Sequence, residues 1–141
     1  TGDNISRIYF SEIYELLVIG YENGLIQLYN ENDEELITIV DIVDKLTIPP
    51  DRKRINHFNE FNEFLYIASD FGISVYNLER LEFDDTYFIG NGGAQIAVEQ
   101  TAISEGFIYA ACINGNGLRR AEITNENLIA TTFFWSKNLD I

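Results

Sequence analysis

Short apolar runs recur along this chain, and each ends at a glycine turn and is followed at once by another strand-like run. Residues 16–24 (LLVIGYENG), 64–72 (FLYIASDFG) and 107–117 (FIYAACINGNG) are the three leading runs. Residues 25–29, 73–78 and 118–123 follow them. Further runs complete the unit: 7–11, 55–59 and 100–104 upstream, and 36–40, 85–89 and 131–135 downstream. Runs of this length, rich in branched and aromatic side chains and bounded by polar or glycine links, predict strands. The chain is therefore a triplication with four predicted strands per copy. Gly24 and Gly72 stand 48 positions apart, Gly72 and Gly117 45, and Asn114 and Gly115 are the extra residues of the third copy.

Four strands at a period near 45 residues is the pattern of a β-propeller blade. The expected fold is all-β: three four-stranded antiparallel blades forming a partial β-propeller. Blade one covers about residues 5–46, blade two about 53–90 and blade three about 97–136. The second run of each copy is almost wholly apolar, as a strand covered on both faces should be. Asn23-Gly24 and Asn116-Gly117 suit tight hairpins, where glycine takes a positive φ without strain. Residues 39–46 could form a turn or two of helix, which Pro49-Pro50 would stop.

Three blades do not close a ring, since propellers typically have 4–8. An open arc leaves one blade face uncovered at each end. We therefore expect an arc of a larger propeller, or a half-ring that pairs with a second copy of the chain. The sequence begins at Thr1 and not Met, which suggests a processed or trimmed chain.

Composition narrows the functional classes. With 46% hydrophobic and 23% charged residues among 141, the chain has the balance of a globular protein and not of a disordered one. A net charge of −14 opposes a nucleic-acid backbone or an anionic membrane surface. No apolar run approaches the roughly 18 residues that span a bilayer, so no membrane insertion is expected. The single cysteine, Cys112, excludes an intrachain disulfide and a cysteine-cage metal site.

The chemistry-bearing residues read mostly as structure. Asp70-Phe71-Gly72 has the letters of a kinase magnesium motif, but its register with the other copies makes it a hairpin turn. Gly90-Asn91-Gly92-Gly93 and Asn114-Gly115-Asn116-Gly117 lack the following helix that a phosphate cradle needs; residues 94–98 and 118–123 look like strands instead. Asn30-Glu31-Asn32-Asp33-Glu34-Glu35 has neither the alternation nor the glycine of a calcium loop, and reads as a solvated link. Asp84-Asp85 are adjacent on a strand, so they point apart and make a poor glycosidase pair. His57, the only histidine, falls in the first strand of copy two, which would line a central channel. There it is a structural residue or a ligand contact. Cys112 is expected to be a small buried packing residue. Arg52-Lys53-Arg54 is the one basic cluster, expected in a solvated loop with an anionic partner as the alternative. The aromatic residues sit mostly inside strand runs, where packing accounts for them. Phe133-Phe134-Trp135 cannot all face one way, so at least one should meet a neighbour or partner. No catalytic, cofactor or metal residues are assigned.

The strand–turn–strand stretches also carry a family resemblance. Leu17-Val18-Ile19-Gly20-Tyr21-Glu22-Asn23-Gly24 with Ile26-Gln27-Leu28 resembles the opening blade of the N-terminal propeller in PorZ-type proteins of the bacterial type IX secretion system. Ile55-Asn56-His57, followed by residues 65–76, is similar to that family's second blade. Asp85-Thr86-Tyr87-Phe88-Ile89-Gly90, Ala102-Ile103 and Ile108-Tyr109-Ala110-Ala111 continue the likeness, which runs from about Ile8 to Ile123. The resemblance implies a non-catalytic scaffold, without cofactors, in an exported complex of the periplasm or outer cell surface. That complex receives cargo proteins and helps join them to surface lipopolysaccharide. Its expected partners are the remaining blades or a second copy, other secretion-complex proteins and, as a further candidate, a glycan. The same strand pattern also resembles the ligand-sensing periplasmic propellers of hybrid two-component histidine kinases, the alternative reading. A propeller glycosidase or lyase is a third class, for which no nucleophile–base set is visible.

Overall fold

The computed structural model describes residues 3–123 and 136–137. Its strands form three four-stranded antiparallel sheets. Blade one holds β1 (Ile5–Ser11), β2 (Leu16–Tyr21), β3 (Ile26–Asn30) and β4 (Glu35–Ile39). Blade two holds β5 (Ile55–Phe61), β6 (Phe64–Ser69), β7 (Gly72–Asn77) and β8 (Glu82–Tyr87). Blade three holds β9 (Val98–Ser104), β10 (Phe107–Cys112), β11 (Gly117–Glu122) and β12 (Ser136–Lys137). Every sheet is a meander in chain order. The first strands touch one another, β1 against β5 and β5 against β9, so they line an axis around which the blades fan. This is the partial propeller expected from the repeat.

The registers show how the blades stack. Leu17 pairs with Tyr29 on β3, and Tyr29 with Leu36 on β4. In blade two the corresponding row is Leu65, Tyr76 and Phe83. Side chains of one row share a sheet face, because neighbours along a strand alternate. The row of Leu65, Tyr76 and Phe83, with Ile67 and Phe58, lies in the core between blades one and two. From the other side Leu16, Val18, Ile26 and Leu28 enter the same core. Their counterparts Tyr66, Ile73 and Val75, with Phe64 packed alongside, enter a second core against Ile108, Ala110 and Ala121 of blade three. Each blade thus offers one row to the preceding blade and the alternate row to the next. Burying one such aliphatic or aromatic side chain contributes about 1.5–3 kcal/mol, so these two interfaces dominate stability.

Burial follows from this sandwiching. The middle blade is covered on both faces: every residue of β7, and all of β6 after Phe64, is buried. In β2 buried and half-buried residues alternate strictly. Gly20 explains how closely the first two blades approach. A Cβ there would lie 2.6 Å from Ile55 Cγ2 and 2.8 Å from the Phe58 ring. Polar contacts add registry along the axis. Ser6 Oγ donates to Ile55 O (2.6 Å), and Glu60 accepts from Tyr9 OH (2.8 Å) and Ser11 Oγ (3.0 Å). Between blades two and three, Asn59 Nδ2 donates to Thr101 Oγ1 (3.1 Å).

Several local expectations are corrected. Ile39 ends β4, and residues 40–46 form turns and no helix: Asp44 N–H bonds Val40 O, and Lys45 N–H bonds Ile42 O. Ile42 and Ile48, both 1% exposed, are buried in the blade one–two core, and pinning both holds the link in an irregular path. A single 3₁₀ turn (Pro50–Arg52) follows Pro49. Residues 94–97 are not strand; β9 starts at Val98, because Gly90 N–H bonds Ala94 O (2.9 Å) and closes a local loop first. β8 begins at Glu82, three residues before the expected 85, since Phe83 pairs with Tyr76 and packs edge-on against its ring at 6.4 Å. The expected outer strand at 131–135, and with it Phe133-Phe134-Trp135, lies outside the described residues. Among the described residues no helix is long and apolar enough to cross a membrane.

Candidate functional site

The β2–β3, β6–β7 and β10–β11 turns all lie at one end of the blades, together with the links that enter β5 and β9. At this upper end two depressions adjoin. One, of about 480 Å³, sits where the first strands begin, between Ser6 and Arg7 of blade one, Asn56 and Asp70 of blade two, and Glu99 and Gln100 of blade three. The other, of about 300 Å³, shares Asp70 and Ile113 with the first and continues outward past Gln95 and Asn116. Together they form one polar groove between blades two and three, opening at the axis.

The Asp70-Phe71-Gly72 turn builds its middle. Phe71 is fully buried, and its N–H bonds Ser69 Oγ (3.5 Å), while Ser69 Oγ donates to Gly72 O (3.1 Å). Anchoring Phe71 inward displays Asp70 in the groove. Asn56 then joins blades: its Nδ2 donates to Asp70 Oδ1 (2.9 Å) and to Val98 O (2.8 Å), and its Oδ1 accepts from Arg54 Nη1 (2.9 Å). The letters that resemble a kinase motif therefore make a turn, as expected, yet the carboxylate lines a cleft.

His57 and Arg7 occupy equivalent positions, opposite Ala68 and Gly20 in their own sheets. Both lie on the first strands of their blades, which line the axis. His57 Nδ1 is buried without a hydrogen-bond partner among the described residues. Burial, with the Arg7 charge as a second cause, pushes its pKa below the ordinary 6.5. The imidazole is therefore neutral at pH 7. The unfolded chain takes up this proton at a higher pH than the folded one. The stability His57 contributes is thus complete above pH 6.5 and is lost as pH falls through the folded value. Melting temperatures of the wild type and His57→Gln between pH 7.5 and 5 check this: the wild type should lose more. Parallel curves would refute it.

The remaining candidates are scattered. Asn30 Oδ1 and Asp33 Oδ1 cap their own turn, accepting from the N–H groups of Asn32 (2.9 Å) and Glu35 (3.1 Å). The acidic run is thus an exposed link. Asp84 is held by Arg80 (3.4 Å), while Asp85 Oδ1 accepts from the N–H of Thr86, so they make no pair. Burial raises the Asp84 pKa above the ordinary 3.8 against the pull of Arg80. Cys112 is only half-buried, because it ends β10 beside a turn; burial raises its pKa. The Arg52-Lys53-Arg54 cluster is not uniformly solvated either. Lys53 is 6% exposed and donates to Val43 O (2.7 Å), which fastens the blade one–two link. Among the described residues no three His, Cys, Asp or Glu side chains could hold a metal ion.

Sequence reasoning missed Arg119. It is 1% exposed, and its Nη1 donates to Ile89 O (3.1 Å) and Asn91 Oδ1 (3.0 Å), its Nε to Asn116 O (3.2 Å). The glycine-rich stretch 90–93 is thus a guanidinium-bound loop and not an anion cradle. The opposite, lower end differs in charge. Its β1–β2 and β3–β4 type turns carry Glu12, Glu15, Glu31, Asp33, Glu63 and Glu79, with Arg80 as the cation among their described residues.

The chain matches the family described as TSS9, PorZ, N-terminal β-propeller domain over residues 1–134. No curated protein matches it at a comparable level. Among solved structures it is similar to PorZ, described as an essential bacterial surface component of the type IX secretion system of Porphyromonas gingivalis. The TM-score is 0.72 at 20% identity, over 96% of this chain and 17% of that one. The chain thus spans about a sixth of that structure's length. It is also similar to the computationally designed Ika8 protein (TM-score 0.62, 15% identity, 89% of this chain and 35% of that one). Saccharomyces cerevisiae Sqt1 is a further neighbour (0.61, 16%, 82% and 32%). At these identities the likenesses establish the propeller fold.

Proposed function

Because this chain belongs to the family of PorZ N-terminal β-propeller domains, we propose that it is a non-catalytic interaction segment of an exported, surface-located component of a type IX secretion machinery. The observation that carries the proposal is the family match over residues 1–134. The stacking supports it. The row that buries blade two against blade one has apolar counterparts on blade one: Ile8, Leu17, Ile19, Tyr29 and Leu36. Ile8 is 60% and Leu36 52% exposed. A further blade is the cover we assign to this face, as continuation of a ring. The arc then works as part of a rigid frame whose ends present loops to protein partners, with a glycan as a second candidate ligand.

The test is a chromosomal in-frame deletion of these blades in the bacterium that encodes them. Surface and periplasmic fractions are then probed for cargo of the type IX pathway. Cargo retained in the periplasm is expected. Normal display of cargo at the surface, with the shortened protein still produced, would overturn the assignment.

A further inference from the structure

We infer that the upper groove binds an extended peptide ending in a carboxylate, with that carboxylate against Arg7. The inference rests on reading this segment as an interaction frame and names the partner class for one end of it.

Shape comes first. The two depressions share Asp70 and Ile113, so they run continuously from the axis outward between blades two and three. Volumes of about 480 and 300 Å³ suit a narrow ligand, and no folded domain would enter them. A chain laid along the groove meets residues of all three blades at its inner end and of blades two and three further out.

The lining then selects the ligand chemistry. Gln100 and Asn114 lie along this path with their amides unengaged by the described residues, and Gln95 keeps its Oε1 free after Nε2 bonds Thr47 O (3.0 Å). A primary amide offers a donor and an acceptor side by side, which matches the N–H and C=O of a peptide unit. Ile96, Ala97 and Ile113 give aliphatic contact for a side chain midway. No aromatic side chain lines either depression among the described residues. A sugar would find no ring to stack on, so the lining favours a peptide.

Charge sets the orientation. Asp70 is already committed to Asn56, and Arg54 to Asn56 with Glu22 4.0 Å away. The side chains of Arg7 at the inner end and Arg52 further out are both exposed and make no hydrogen bond or ion pair among the described residues; Arg7 stands where all three blades meet, and the carboxylate is assigned to it on that position. His57 beside Arg7 is neutral at pH 7 and supplies no counter-charge to the guanidinium. A guanidinium in this state takes a carboxylate through paired, charge-assisted hydrogen bonds. Exposed Glu99 lies on the blade-three side of the same depression, and there it favours peptide N–H donors over a second anionic group.

The experiment titrates the ¹⁵N-labelled chain with a pool of random hexapeptides ending in a free glutamate. The same pool ending in glutamine amide, and maltohexaose, serve as comparisons. Saturable shifts of the Gln95, Gln100 and Asn114 side-chain amides are expected with the acidic pool, at least tenfold weaker with the amide pool. Arg7→Gln should erase that difference while leaving the urea midpoint unchanged. Absence of shifts with the acidic pool, equal response to both pools, or saturation of the groove by maltohexaose would overturn the inference. Either result leaves the cargo phenotype of the deletion strain to be judged separately.

Discussion

Gly72→Ala is expected to destabilise the chain by about 3–5 kcal/mol, among the largest effects a single methyl group can have. Gly72 opens β7 with φ at 154°, and a Cβ there would overlap the backbone carbonyl oxygen of Tyr87. Backbone has no rotamer with which to yield. Tyr87 is held opposite Ile73 by the β7–β8 ladder, so relief requires parting the outer strand of the central blade. That blade is sandwiched in both cores, and damage to it reaches both neighbours. Urea unfolding followed by tryptophan-independent far-UV dichroism measures the loss. Gly92→Ala is the control: φ is 68°, nothing stands within 4 Å of the added atom, and only the backbone cost of about 1 kcal/mol applies. Equal effects of the two substitutions would show that the close approach to Tyr87 is unimportant.

Arg119→Ala should cost about 3–4 kcal/mol, from lost packing and from the acceptors it leaves without a donor, of which Ile89 O is buried. The side chain spans from β11 to the loop leaving blade two, where it satisfies Ile89 O and Asn91 Oδ1, and it closes the 113–116 turn through Asn116 O. A lysine cannot replace it, because one ammonium group does not reach acceptors on both sides of the planar fork. Arg119→Lys should therefore recover less than half of the loss. Asn91→Ala removes one exposed partner and should cost no more than about 1 kcal/mol. A midpoint for Arg119→Ala within about 1 kcal/mol of the wild type would mean that water replaces the guanidinium without penalty.

The blades were legible because their signals are local. The apolar runs of β2 and β6 and the glycine turns at Gly24, Gly72 and Gly117 each need only a few neighbouring residues to be interpreted. Arg119 was not legible for the opposite reason. It stands beside Arg120 in a strand run, and pleating turns the two apart: Arg120 lies 4.5 Å over the Phe107 ring, and Arg119 goes inward to a carbonyl 30 residues away. Lys53 is similar, a cation in a basic cluster drawn under a loop by Val43 O. The helix expected near residues 39–46 failed because Ile42 and Ile48 serve a core that only the assembled blades create. The groove was half legible. Asp70 is legible as part of a turn, and the strand that carries Asn56 as one that lines the axis. That Arg7, Asp70 and Gln100 converge follows from the fan of blades, which no single repeat contains.

The surface that seeks a predecessor and the surface that seeks a successor are different surfaces, so the stack possesses a sense of direction. Two arcs could not join like end to like end; any joint must be head-to-tail, and two half-rings closed in that way are related by a two-fold along the propeller axis. Such growth either returns on itself or continues without limit, and the small rotation between one blade and the next decides which.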